Sequence, residues 1–193
     1  MSERAQHEWA QQCAALIVES GLTDWHLARR KAAKQWSTAP NVREPSDAQI
    51  IDEIKQYHAL YQPEEHAAQL AAQREEALSW MEFFENFAPR LTGPVAEGWA
   101  HAESEIRIEL TPPDEKLFEI LLINENVQYS LGDTTQQLSH YLIDDADWPL
   151  RVMLLGASSR GRAKWHAQSP RLNLAQVRKM VRSAQKPAAS SDR

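Results

Sequence analysis

The residues able to do chemistry gather in the run LTGPVAEGWAHAESEIRIEL, positions 91–110, which holds Gly98, Trp99, His101, Ser104, Glu105, Arg107 and Glu109. A backbone that turns at a glycine can approach a phosphate closely, and polar side chains on a following strand can hold a charged or metal-bound ligand. The alternation of Ile106, Ile108 and Leu110 predicts such a strand, with Glu105, Arg107 and Glu109 on its other face. Carboxylates at i and i+2 of a strand lie roughly 6.6 Å apart and can converge on metal ions. Glu105 and Glu109 are i and i+4, roughly 13 Å apart along a strand. Arg107 stands between them, and its permanent positive charge repels a divalent cation. This spacing suits an ion-paired ladder.

Four helices precede that run. The spacing of Trp9, Cys13, Leu16 and Ile17 predicts a helix over 4–19, stopped by Gly21. Thr23 is the expected N-cap of a second helix through position 36, with Trp25, Ala28, Ala32 and Trp36 buried and Arg29, Arg30, Lys31 and Lys34 facing out. The segment STAPNVREP, 37–45, reads as a loop. Ser46 caps a third helix whose apolar side is Ile50, Ile51, Ile54, Tyr57, Leu60 and Tyr61, and Pro63 ends it. A fourth, 64–87, offers Leu70, Ala77, Leu78, Met81 and Phe84 to a sheet. That sheet is expected to use strands near 91–97, 104–110, 127–131, 138–143 and 150–155. After the second of these, Pro112 and Pro113 open a helix burying Leu117, Phe118, Leu121 and Leu122, and a closing helix spans 174–182.

The strand, glycine turn and second strand resemble the signature of the nucleotidyltransferase superfamily, where a strand ends in Gly-Ser and the next carries Asp-x-Asp. With the stretch around Arg29, Arg30, Lys31, Ala32 and Ala33 and the segment 52–60, the run GPVAEGWAHAESEIRIEL looks like a bacterial family with a nucleotidyltransferase-like core and a degenerate motif. The resemblance covers most of the chain. It implies an α+β fold: an N-terminal helical segment, 1–63, a nucleotidyltransferase-like mixed sheet with flanking helices, 64–183, and a basic tail, 184–193. Carried over residue by residue, Gly98 matches the motif glycine, Trp99 takes the place of the phosphate-contacting serine, and Ser104 precedes the first metal ligand. Glu105 takes the position of the first Asp, and Arg107 that of the second. A third acid would be expected on a later central strand, where 149–155 offers only apolar residues and Arg151. Two-metal phosphoryl transfer needs carboxylates shared by ions about 3.5–4 Å apart. Transfer chemistry is therefore expected to be lost and no cofactor required; magnesium enters only if Glu105 serves an active enzyme.

Composition narrows the remaining choices. The chain has 193 residues, enough for one sizeable core or a helical segment joined to a compact α/β unit. With 42% hydrophobic and 25% charged residues it has the makeup of a folded globular protein. No run reaches the roughly 18 apolar residues of a membrane span, and the N-terminus lacks a secretory pattern, which points to the cytoplasm. The single cysteine, Cys13, excludes an internal disulfide and reads as a core residue. Net charge is −6, yet residues 148–193 hold ten Lys/Arg against one acid, Asp192. That +9 segment is expected to pair with the acidic body or be solvated; nucleic-acid binding through 151–186 is the alternative.

Other constellations carry less. GASSRG, 156–161, lacks the GK[ST] of a P-loop. His58 and His66 are separated by Pro63 and do not have HExxH spacing. No GxSxG elbow surrounds Ser104, so His101, Ser104 and Glu105 make no hydrolase triad. Of the seven tryptophans, Trp99 is the candidate for stacking on a base. The expectation is a domain without transferase activity that binds a nucleotide or other phosphate-bearing ligand through Gly98, Trp99, His101, Ser104 and Arg107, or a protein partner.

Overall fold

The structure, a computed structural model, describes residues 2–22, 24–36, 42–132, 139–155 and 170–185. It is α+β, with seven helices and a six-stranded mixed sheet among the described residues. The chain divides into two compact units: Met1–Gln69 with His101–Glu103, and Leu70–Ala100 with Ser104–Arg193.

The first unit is helical. Helix α1 (Ser2–Ser20) contacts both α2 (Trp25–Trp36) and α3 (Asp47–Tyr61) and buries Ala10, Cys13, Ala14 and Ile17. Gly21 follows α1 at φ +59°, a conformation that glycine adopts without a Cβ penalty. Thr23 lies outside the described residues; Asp24 caps α2, its Oδ1 accepting from the Leu27 N–H at 3.0 Å. Ser46 caps α3 in a full capping box with Gln49. The loop expected over 37–45 lies partly outside the described residues, and 42–45 are neither helix nor strand.

Periodicity misassigned some faces here. Arg29 is buried, not outward: its guanidinium pairs with Glu44 and Asp47 and donates from Nε to the Pro45 carbonyl at 3.2 Å. A buried cation is tolerated because carboxylates and a carbonyl meet it. On α3, Glu53 and His58 are buried with Ile50 and Ile54, while Leu60 and Tyr61 are exposed. Cys13 is fully buried, and desolvation pushes its thiol up to about 11 despite the lowering charge of Arg29. It is a core residue.

The second unit is built on the sheet, in spatial order β3 (Tyr129–Leu131), β4 (Ser139–Ile143), β5 (Leu150–Leu154), β2 (Ile106–Leu110), β1 (Arg90–Thr92), β6 (Leu172–Asn173). Only β2 and β5 run parallel; the other neighbours are antiparallel. One face is apolar, with cross-strand rows Tyr141–Val152–Ile108–Leu91 and Ile143–Leu150–Ile106. Helix α4 (Pro63–Phe83) supplies Leu70, Ala77 and Met81 to this core, α6 (Glu115–Asn124) supplies Phe118 and Leu122, and α7 (Leu174–Gln185) supplies Val177 and Val181. Phe118 meets both Phe84 and Tyr141, ring centroids 5.5 and 4.9 Å away.

Three expectations are corrected, and one element was not foreseen. The fourth helix ends at Phe83 and a 3₁₀ turn, Glu85–Phe87, follows. The strand expected over 91–97 stops at Thr92, and Gly93–Glu97 is a short helix, α5. Pro94 decides this, because it has no N–H for a ladder and its fixed φ suits a first helical turn. Leu117 is 48% exposed and Leu121 only half-buried, because α6 is apolar nearly all round and its pattern does not single out a face. Strand β6 was too short to leave a periodic signal.

Candidate functional site

Alternation along β2 turns Ile106, Ile108 and Leu110 into the core, which leaves Arg107 and Glu109 on the opposite face of the sheet. The register completes that second face. One row reads Leu142–Arg151–Arg107–Thr92, the next His140–Met153–Glu109–Arg90–Asn173. Two arginines thus stand as direct neighbours on parallel strands, an arrangement that repels unless an anion intervenes.

Glu105, just before β2, is that anion. Its Oε1 accepts from Arg107 Nε at 2.7 Å and lies 2.6 Å from the Nη2, while its Oε2 accepts from Arg151 Nε at 2.8 Å. Burial alone would raise the carboxyl's pKa, but the Arg107 charge and the Arg151 hydrogen bond outweigh it and hold it below the ordinary value. The side chains are 38%, 29% and 22% exposed for Arg107, Arg151 and Glu105, so the cluster is open to solutes. Arg151 Nη1 also lies 3.5 Å from His140 Nδ1.

Glycines flank both guanidinium groups. A Cβ on Gly93, which sits at φ +68°, would lie 3.0 Å from Arg107 Cδ. A Cβ on Gly132, after β3, would lie 3.2 Å from His140 Cβ and 3.4 Å from Arg151 Nη1. Gly93 thus makes room for the Arg107 stem, and Gly132 for His140 and the Arg151 guanidinium.

The residues singled out in the sequence are distributed differently. Glu105 and Arg107 meet as described. Glu109 shares their face but is buried against Arg171, which donates to its Oε2 from Nε at 2.7 Å. The glycine that ends the strand is Gly93; Gly98 is the C-cap of α5 at φ +82°, where its nearest neighbours are Arg74 and Leu70. Arg74 donates from Nε to the Val95 carbonyl at 3.3 Å. Trp99 is buried, its Nε1 donating to Glu97 Oε2 at 2.9 Å. Ser104 is buried in the second unit. His101 belongs to the first, with Nδ1 accepting from the Glu103 N–H at 3.2 Å, and burial lowers its pKa. The loop 156–161 lies outside the described residues.

Arg151, Gly93, Gly132 and His140 had escaped notice as a group. The register of β2 against β5 makes Arg151 a neighbour of Arg107 although 43 residues lie between them in the chain, and no local pattern encodes that. A signal for Gly93 does exist in the sequence: Thr-Gly-Pro is a strand end followed by a helix start.

A divalent cation does not fit this donor set. Both oxygens of Glu105 already face guanidinium groups, and Arg107 and Arg151 occupy the neighbouring positions. Among the described residues no group of three or more His, Cys, Asp or Glu side chains is placed to hold a metal ion. No helix among them is long and apolar enough to cross a membrane.

No protein-family model and no curated protein matches this chain. A solved structure of a cytoplasmic RNA terminal U-transferase is similar to it at 14% identity, over 56% of this chain and 29% of that one, with a TM-score of 0.30.

Proposed function

We propose that the chain is a nucleotidyltransferase-like domain that no longer transfers nucleotides and instead binds a phosphate-bearing ligand on the second face of its sheet. The strand–glycine–helix–strand order of β1, Gly93, α5 and β2 supports the superfamily layout. The observation that carries the functional reading is the pairing of Arg107 with Arg151 around Glu105. Of the two motif positions carried over for metal-binding carboxylates, one holds the acid Glu105 and the other the cation Arg107, and the later strand on which a third acid was expected offers Arg151. Guanidinium groups present fixed donors that match phosphate oxygens and need no metal to bridge them.

Millimolar nucleoside triphosphates and inorganic pyrophosphate should raise the melting temperature without magnesium, and Arg107→Gln with Arg151→Gln should abolish the shift. Absence of stabilisation by any of them sinks the binding claim. Labelled product from ATP, CTP, GTP or UTP, lost in Glu105→Gln, would instead make the domain an active transferase.

A further inference from the structure

Glu105 fills the space between the two guanidinium groups from within the chain. It spreads one oxygen to each, as two oxygens of a phosphate would. The three side chains together carry one net positive charge; without the carboxylate they carry two. A guanidinium has five N–H donors, and the carboxylate engages two on Arg107 and one on Arg151. All three side chains reach solvent, so exchange of one anion for another needs no opening of the core.

We infer that Glu105 is an internal competitor, a built-in anion that a phosphate group must displace from Arg107 and Arg151 in order to bind. This rests on the binding role proposed above and adds its regulation. The ligand class is a terminal phosphate or pyrophosphate group, recognised by its oxygens. The missing side chains of Gly93 and Gly132 leave room beside the Arg107 stem and beside the Arg151 guanidinium and His140, space that the arginines can use when the carboxylate leaves. The competing arrangement is a clamp: if Glu105 orients the arginines for the ligand, its removal loosens them and weakens binding.

Titration calorimetry of the full-length chain in EDTA, with pyrophosphate in one arm and ATP in the other, separates the two. For an internal competitor, Glu105→Gln binds at least tenfold more tightly than the parent in either arm, and adding Arg107→Gln removes the gain. Equal gains in both arms place recognition in the phosphates alone. Parent binding with an unchanged or weaker Glu105→Gln overturns the competitor and leaves the binding role intact. No binding by parent or variant overturns both. A second measurement needs no variant: on titrating the parent with pyrophosphate, the Nε–H resonances of Arg107 and Arg151 should shift together. Invariance of both under saturating pyrophosphate would also overturn the displacement.

Discussion

Glu105, just before β2, takes two partners, while Glu109, four residues on and within that strand, takes another, Arg171. An ion-paired ladder was legible in the alternating acids and the arginine between them; its connections were not. Replacing Arg107 by Gln leaves Glu105 with Arg151 alone, so the carboxyl titration midpoint should move up toward the ordinary value of 4.5. Carbon-13 NMR of the side-chain carboxyl checks this, and an unchanged midpoint would mean Arg151 suffices. Gly93→Ala should cost roughly 1–2 kcal/mol, because it places a Cβ at positive φ against the Arg107 stem. Gly132 carries no such backbone requirement. Its Ala variant should lose less stability in urea denaturation than the Gly93 variant does.

At the scale of the element, cap and break signals served better than apolar faces. Ser46, Pro63 and Gly21 sit at or beside helix ends, whereas Pro112 and Pro113 do not open α6, which starts at Glu115 behind the N-cap Asp114. Ser46→Ala should destabilise the chain by about 1 kcal/mol, since it removes the hydroxyl that accepts from the Gln49 N–H. Thermal melting at fixed pH reads that loss, and Ser46→Asp should recover most of it. Helix α3 shows why its buried face was misjudged. Glu53 and His58 are buried beside partners outside their own helix: His7 Nδ1 lies 2.9 Å from Glu53 Oε1, and the His58 ring stacks on that of His66 at 3.8 Å. Hydropathy scoring cannot anticipate such partners, which lie on other elements or across a helix break.

Across the whole molecule the two units should respond differently to acid. Burial, then the neighbouring His66 charge, lowers the His58 pKa to about 4, and burial lowers that of His101 in the same unit. Between about 4 and the ordinary 6.5 an unfolded His58 binds a proton that the folded one refuses, so stability falls as pH drops through this window. Hydrogen exchange should show α3 and the start of α4 losing protection first, and His58→Phe should flatten the response. A sheet losing protection before α3 would contradict it. The basic C-terminal segment spends part of its charge internally: Arg151 on Glu105, Arg171 on Glu109 and Arg178 on Glu82. By itself the sequence determined every described helix but α5, the α-then-β order and the apolar face of β2, because caps, prolines and period-2 alternation act through near neighbours. Only the tertiary structure decided that Arg151 stands beside Arg107, that Gly93 rather than Gly98 ends the strand, and that Arg29 is buried. Two of these are set by strand register and by partners distant along the chain; the third needed the backbone itself to show where the ladder yields to a helical turn.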